Sequence, residues 1–273
     1  MNESENREEI NECLDDYVNC FHSYFVDYHN MNNIIKYCLK CKLDNILLRP
    51  TLWKIFLNYL PQEINFTNWL EKTQVARSTF KKRSAKYFNT KKVLGGDPLG
   101  GGAAEVNQFI KKSKNWNSFY DDKELKKIIM LDINRTYQEF KMFQDSTTKE
   151  HLMNLLFMWS KENEDVSYKQ GMNEILAVLY LSMHKHYFKP QKKINITELI
   201  KKSKSIQIED MDAYKIFIKE VYLYLHDFTD IQADLYYLFD EIMKRGMKDI
   251  YDNLNSGKNK KSKEDILKEE QVV

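Results

Sequence analysis

Seven consecutive apolar residues, Ile175-Leu176-Ala177-Val178-Leu179-Tyr180-Leu181, follow the polar stretch Ser167-Tyr168-Lys169-Gln170-Gly171-Met172-Asn173-Glu174. A run this apolar predicts a helix buried on nearly all sides, which is stable only if other elements surround it. Ser167 and Gln170 stand at capping-box spacing, where serine and glutamine satisfy orphan amides reciprocally. Gly171 in that first turn costs roughly 1 kcal/mol against alanine, so something is expected to approach its backbone closely. The polar mouth of the helix therefore carries Tyr168, Gln170 and Asn173, and it is the first place to look for chemistry.

The surrounding elements are predicted to be helices as well. Ile10, Cys13, Leu14, Tyr17, Val18, Phe21, Tyr24, Phe25 and Tyr28 keep a three-four spacing, and Ile34, Ile35, Cys38 and Leu39 continue it. Pro50 sits well in the first turn of a helix that Pro61 would stop, with Trp53, Phe56, Leu57 and Leu60 as its buried face. A helix over 150–162 turns Leu152, Leu155, Leu156 and Trp159 inward. Later helices carry Tyr214, Phe217, Ile218, Val221 and Leu225, then Ile231, Leu235, Leu238, Phe239, Ile242, Met243 and Met247. The region 188–210 is expected to be a polar insertion with a short helix around Leu199. From Asn253 the chain turns Lys/Glu/Ser-rich, which predicts a disordered or frayed tail.

Eight glycines and four prolines in 273 residues argue against an all-β architecture. Strand patterns are nearly absent, so the fold class is all-α. A net charge of +2 points to no strongly charged partner. No apolar run is long enough to span a bilayer, and the N-terminus is unlike a signal peptide. Four cysteines, all within the first 41 residues, are too sparse for a disulfide framework, so a reducing cytoplasm is the expected setting. Cys38 and Cys41 have the spacing of half a zinc site, but no second Cys/His pair follows and no metal site is predicted.

Between Thr73 and Lys92 lie seven Lys or Arg and no acidic residue, interleaved with Phe80, Tyr87 and Phe88. This is expected to be a solvated linker, or else a patch for RNA or an anionic membrane surface. The glycines of residues 95–102 lack the Gly-Lys-Ser/Thr ending of a phosphate loop.

Asp121 and Asp122 are placed to cap a helix whose apolar stripe is Leu125, Ile128, Ile129 and Ile133. Asp132 falls in the middle of that stripe, where a carboxylate is costly unless paired. Arg135, one turn on, is the nearest candidate. Two meanings stay open: a buried ion pair that serves the fold, or a carboxylate that aims an arginine.

Three stretches in order resemble the TBC-domain family of GTPase-activating proteins for Rab GTPases. Leu48-Arg49-Pro50-x-x-Trp53-Lys54 is similar to the arginine-to-tryptophan helix that opens the domain, which marks Arg49 and Trp53 as structural. Ile129-x-x-Asp132-x-x-Arg135-Thr136 matches the first signature, and Tyr168-Lys169-Gln170-Gly171-Met172 the second, with Lys169 where cysteine is more usual. Tyr137 and Gln138 stand where the family has proline after Arg-Thr. The resemblance covers roughly residues 45–250 and implies an N-terminal helical region over 1–44, a partial domain over 45–252 and a charged tail over 253–273. It also implies insertions near 73–115 and 188–210, and leaves the family's C-terminal helical lobe without a counterpart. The segment 231–251 looks like the family's helix after the second signature.

The resemblance implies that Arg135 is an arginine finger and Gln170 a glutamine finger, offered in trans to a Rab-family GTPase in its GTP state. Asp132 would aim Arg135; Thr136, Tyr168, Met172 and Asn173 would support the site, and Gly171 would let the partner come near the backbone. The protein would need no cofactor of its own, because GTP and Mg²⁺ arrive with the GTPase. It would be cytoplasmic, at endomembranes if its basic segments reach a membrane surface, and no nucleic-acid partner is expected. The competing expectations are a GTPase-binding scaffold of the same fold without catalysis, and a basic-loop RNA or membrane binder.

Overall fold

The computed structural model describes residues 13–27, 31–40, 48–88, 120–189, 193–206 and 210–251, which are almost wholly helical. In chain order the helices are α1 (13–21, prolonged by a π-helical segment His22–Asp27), α2 (Met31–Leu39), α3 (Arg49–Phe56), α4 (Phe66–Phe88) and α5 (120–133). They continue as α6 (Lys141–Gln144), α7 (Ser146–Glu162), α8 (Met172–His184), α9 (Ile196–Ser205), α10 (Met211–Leu225) and α11 (Ile231–Ile242). A lone parallel bridge joins Phe188 to Asp227, and among the described residues there is no strand.

Local chemistry sets the boundaries. Asp145, Asn195 and Asp210 each accept a backbone N–H from the first turn of the helix that follows, and Asn65 does the same for α4. Such an oxygen replaces an amide partner that the helix itself cannot supply.

The described residues up to Lys81, with Val178–Glu241, form one compact unit. Its core holds Tyr17, Phe21, Leu52, Ile55, Trp69, Phe217, Val221, Leu225 and Leu235. Tyr17 packs against Tyr222, ring centroids 3.9 Å apart and planes tilted by 39°, and shares a hydrogen bond with Thr51. The N-terminal helix α1 contributes to this core. On α3 the buried face is Leu52, Lys54 and Ile55, whereas Trp53 and Phe56 are half-buried and Arg49 is exposed. Cys38 stands free on α2; Cys41, the glycine run of 95–102 and the tail beyond 252 lie outside the described residues.

The basic stretch from Thr73 is not a linker down to Phe88. It is the body of α4, with Trp69, Leu70, Thr73, Arg77 and Phe80 on its buried stripe. Arg77 is 3% exposed, Lys81 pairs with Asp230, and Arg83 pairs with Glu162. The later basic insertion is largely α9, anchored by Leu199, and its Lys202 pairs with Glu220.

Two histidines of this unit are kept neutral. His186, 7% exposed, is pushed down to about 4 by burial and by the charges of Arg49 and Lys185. His226, fully buried, lies well below its usual value for the same first reason. An unfolded histidine takes a proton near pH 6.5. Below that pH the unfolded chain binds protons the folded one refuses, so stability is expected to fall as pH drops from about 6.5 toward 4. Urea midpoints measured across that range check this; His186→Gln should flatten the decline, and an unchanged slope would remove His186 as a cause.

The second unit comprises Lys82–Ala177 with the described residues from Ile242 onward. Ile129, Ile133, Phe143, Leu152, Leu155, Leu156, Trp159, Val166, Met172 and Leu176 make its core. Lys161 on α7 reaches Asp122 on α5 at 3.0 Å, and Lys126 lies 4.3 Å from the ring centroid of Phe157. Helix α5 already runs at residue 120, so Asp121 and Asp122 sit inside it and do not cap it. Its inward stripe is Ile129, Asp132 and Ile133; Ile128 is 46% exposed.

Candidate functional site

Asp132, Thr136, Tyr168, Gly171 and Asn173 are drawn into one hydrogen-bonded cluster in the second unit. Helix α5 ends after Ile133, and Thr136 closes it by donating its hydroxyl to the Asp132 carbonyl at 2.7 Å. Arg135 leaves this closing turn with its side chain 61% exposed, and its Nη2 lies 2.6 Å from Asp132 Oδ1. The other carboxylate oxygen accepts the Tyr168 hydroxyl at 2.7 Å. So the carboxylate in the apolar stripe is 7% exposed, yet both of its oxygens are partnered, as burial of a charge requires.

The Tyr168 hydroxyl also lies 3.1 Å from Asn173 Oδ1. It has a single proton, and the shorter contact to a charged acceptor takes it. Burial, then the Asp132 hydrogen bond and charge, hold this phenol well above its ordinary value. Asn173 Oδ1 accepts the Gly171 N–H at 3.0 Å, and Asn173 Nδ2 donates to Thr136 Oγ1 at 2.8 Å. A continuous chain of polar contacts therefore runs from the Arg135 guanidinium to the peptide that follows Gln170.

Gln170 is exposed, in a turn closed by Met172 N–H to the Lys169 carbonyl at 3.1 Å. The expected capping box does not form. Ser167 takes φ +55°, and α8 starts only at Met172, with Gly171 offering its carbonyl to the amides of Glu174 and Ile175. Gly171 has φ +98°, which L side chains rarely adopt, so the backbone itself calls for glycine. Met172 is fully buried, and its sulfur accepts the Lys169 N–H at 3.4 Å. The helix behind it is not buried all round. Glu174 and Val178 are exposed, while Leu176, Ala177, Leu179 and Tyr180 are covered. A purely apolar run carries no periodicity, so its exposed face was invisible in sequence.

Tyr137 has φ +43° and Gln138 follows it. The Gln138 amide donates to the Thr136 carbonyl at 2.9 Å, and Gln144 donates to the Gln138 carbonyl at 2.8 Å. Side-chain hydrogen bonds here fasten a turn that a fixed ring would otherwise stiffen. Arg49 and Trp53 belong to the other unit. Among the described residues no group of His, Cys, Asp and Glu could hold a metal ion.

Sequence reasoning missed Tyr251 and the kink before it. The segment 231–251 is not one helix: Arg245 and Gly246 break helical geometry, with Gly246 at φ +115°. Beyond the kink, Lys248 pairs with Asp165 at 2.6 Å, and the Tyr251 hydroxyl comes within 3.2 Å of where a Cβ on Gly171 would stand. The glycine at 246, inside an otherwise periodic pattern, was the one available signal.

An exposed arginine and an exposed glutamine therefore stand at two ends of one polar cluster. Residues 102–262 match the Rab-GTPase-TBC domain family, and the chain belongs to that family. The matched region holds both Asp132–Thr136 and Tyr168–Asn173; Arg49 and Trp53 precede it.

Among curated relatives, human TBC1 domain family member 5 is 28% identical over 199 residues, 71% of this chain and 24% of that protein. Its mouse counterpart is 29% identical over 171 residues, 62% of this chain and 20% of that protein. The Dictyostelium discoideum TBC1 domain family member 5 homolog B is 29% identical over 136 residues, 49% of this chain and 12% of that protein. The chain thus spans about a quarter or less of the length of these relatives. Among solved structures, the Ypt/Rab-GAP domain of Gyp1p aligns with a TM-score of 0.44 and 16% identity, covering 73% of this chain and 48% of that one.

Proposed function

We propose that the protein is a GTPase-activating protein for a Rab-type small GTPase, to which it lends Arg135 and Gln170 in trans. The observation that carries the proposal is the cluster that joins them, with both side chains projecting into solvent while the residues between are buried. In GTP hydrolysis, charge spreads over the γ-phosphoryl oxygens and the leaving oxygen. A guanidinium stabilises that charge through a planar set of donors, which a lysine cannot copy. Asp132 engages Arg135 through Nη2 and aims the group without sealing it from solvent.

Gln170 would accept a hydrogen bond from the attacking water and donate one to the γ-phosphate, holding the nucleophile in line. Its backbone is fixed through Gly171 and Asn173, so less freedom is lost on docking. GTP and Mg²⁺ come with the partner, and the protein contributes side chains alone.

Phosphate release from a panel of GTP-loaded Rab GTPases, with and without the purified chain, tests the assignment. At least one Rab is expected to respond, and Gln170→Ala should lower the stimulated rate by about 10²-fold. Binding of GTP-loaded Rab with no acceleration for any member would mark the protein as a scaffold instead.

A further inference from the structure

The sequence calls for a close approach to the Gly171 backbone, and the protein's own Tyr251 makes one. The Tyr251 hydroxyl occupies the space beside Gly171, 3.2 Å from the position a side chain would take. Two features bring it there. The Arg245–Gly246 kink redirects the chain after α11, and Lys248 then pairs with Asp165 in the loop that leads to Tyr168 and Gln170. At Gly246 an added Cβ would meet nothing within 4 Å, so this glycine serves the bend and not a contact.

The Tyr251 hydroxyl belongs to the surroundings of the site. Burial, then the Glu174 carboxylate, hold it above its ordinary value, and it acts in turn on Tyr168. Two groups thus meet the Gly171 peptide: Asn173 Oδ1 takes its N–H at 3.0 Å, and the Tyr251 hydroxyl lies 3.2 Å from where a Cβ would stand. Gln170 is the residue just before it.

We propose that Tyr251 is a positioning residue for Gln170: its hydroxyl backs the Gly171 peptide where glycine carries no side chain, and so fixes the turn that presents the glutamine amide. Gly171 is then required for an intramolecular contact as well as for its backbone angle. The proposal rests on the reading of Gln170 as the residue that meets the attacking water. The variants are chosen so that the two fail separately.

The test uses the full chain with Tyr251→Ala, Tyr251→Phe and Gln170→Ala. Amide hydrogen exchange is followed at Gly171 and Met172 together with the thermal midpoint. Phosphate release is measured on the GTP-loaded Rab that responds most strongly, with kcat and KM separated. Tyr251→Ala is expected to speed exchange at Gly171 about tenfold, with little change in the midpoint. It should lower kcat about tenfold while KM stays within about twofold, since a misplaced group costs rate and not docking. Tyr251→Phe keeps the ring, removes the atom at Gly171, and should fall between; it carries the same comparison should the alanine variant fail to fold.

Wild-type exchange and kcat in both Tyr251 variants, with stimulation lost in Gln170→Ala, would overturn this proposal alone. A rise in KM and a drop in midpoint with kcat unchanged would also overturn it, since that is what simple packing gives. Stimulation retained in Gln170→Ala overturns the reading of Gln170 and this proposal with it.

Discussion

Replacing Arg135 by alanine is expected to lower Rab GTPase stimulation by about 10³-fold or more, the range an arginine supplied in trans contributes. Arg135→Lys should recover little, because a point charge on a flexible stem lacks the fork that matches phosphate oxygens. The Arg135 side chain is 61% exposed but its partner Asp132 is buried, so the thermal midpoint is measured beside the rate to separate lost chemistry from lost stability. When the guanidinium is gone Asp132 keeps the Tyr168 hydroxyl on Oδ2 and loses its partner on Oδ1. A thermal midpoint near wild type with stimulation abolished would assign the loss to chemistry. Stimulation within about tenfold of wild type would remove Arg135 as the group that meets the transition-state charge.

The parts of the site that depend on local spacing were legible before any coordinates. Asp132 stood out because a carboxylate interrupts an apolar stripe, and a residue three positions on is within reach on a helix, which is where Arg135 is found. Tyr168 and Asn173 stood out as polar groups at the mouth of an apolar run. That their hydroxyl and amide meet Asp132 and Thr136 was not readable, since the contacts span 36 and 37 residues and depend on how α5 lies against the start of α8.

The same limit explains the larger misreading of α4. Its lysines and arginines hid a stripe at 69, 70, 73, 77 and 80 because the stripe has an arginine at its centre. A charge can occupy a core position when its partners come from far along the chain, and nothing near Arg77 announces Asp234. Lys54 was passed over for the same reason. Trp53 and Phe56 on either side of it were assigned to the core, and they are half-buried while the lysine is fully buried.

That buried network carries the second large effect, on stability. Asp234, fully buried on α11, accepts Lys54 Nζ at 2.9 Å, Tyr59 at 2.6 Å, Arg77 Nε at 3.0 Å, Arg77 Nη2 at 2.7 Å and Tyr187 at 2.6 Å. Despite its burial, the Arg77 and Lys54 charges hold its carboxyl well below the usual range. The two cations also serve α10, whose last carbonyls at Tyr224 and Leu225 accept from Arg77 at 2.8 and 2.9 Å, with Lys54 donating to Leu225 as well. Cations at a helix C-terminus oppose its dipole charge and supply donors that its final carbonyls lack.

Asp234→Ala would leave both cations buried with only the Asp230 carboxylate nearby, and removing one partner of such a pair costs about 3–5 kcal/mol. For a chain of this size that is a fall in melting temperature on the order of 10 °C. Lys54→Met should cost less, because Arg77 still meets both carboxylate oxygens and burial already pushes the Lys54 ammonium down to about 8. Since the folded carboxyl titrates below the unfolded one, the stability it provides is complete above the unfolded value near 3.9 and is lost as pH falls below it. Melting curves of the two variants at pH 7 and of the wild type from pH 5 down to 3 test all of this. Equal destabilisation by Asp234→Ala and Lys54→Met would mean that the aspartate is not the hub on which the two cations depend.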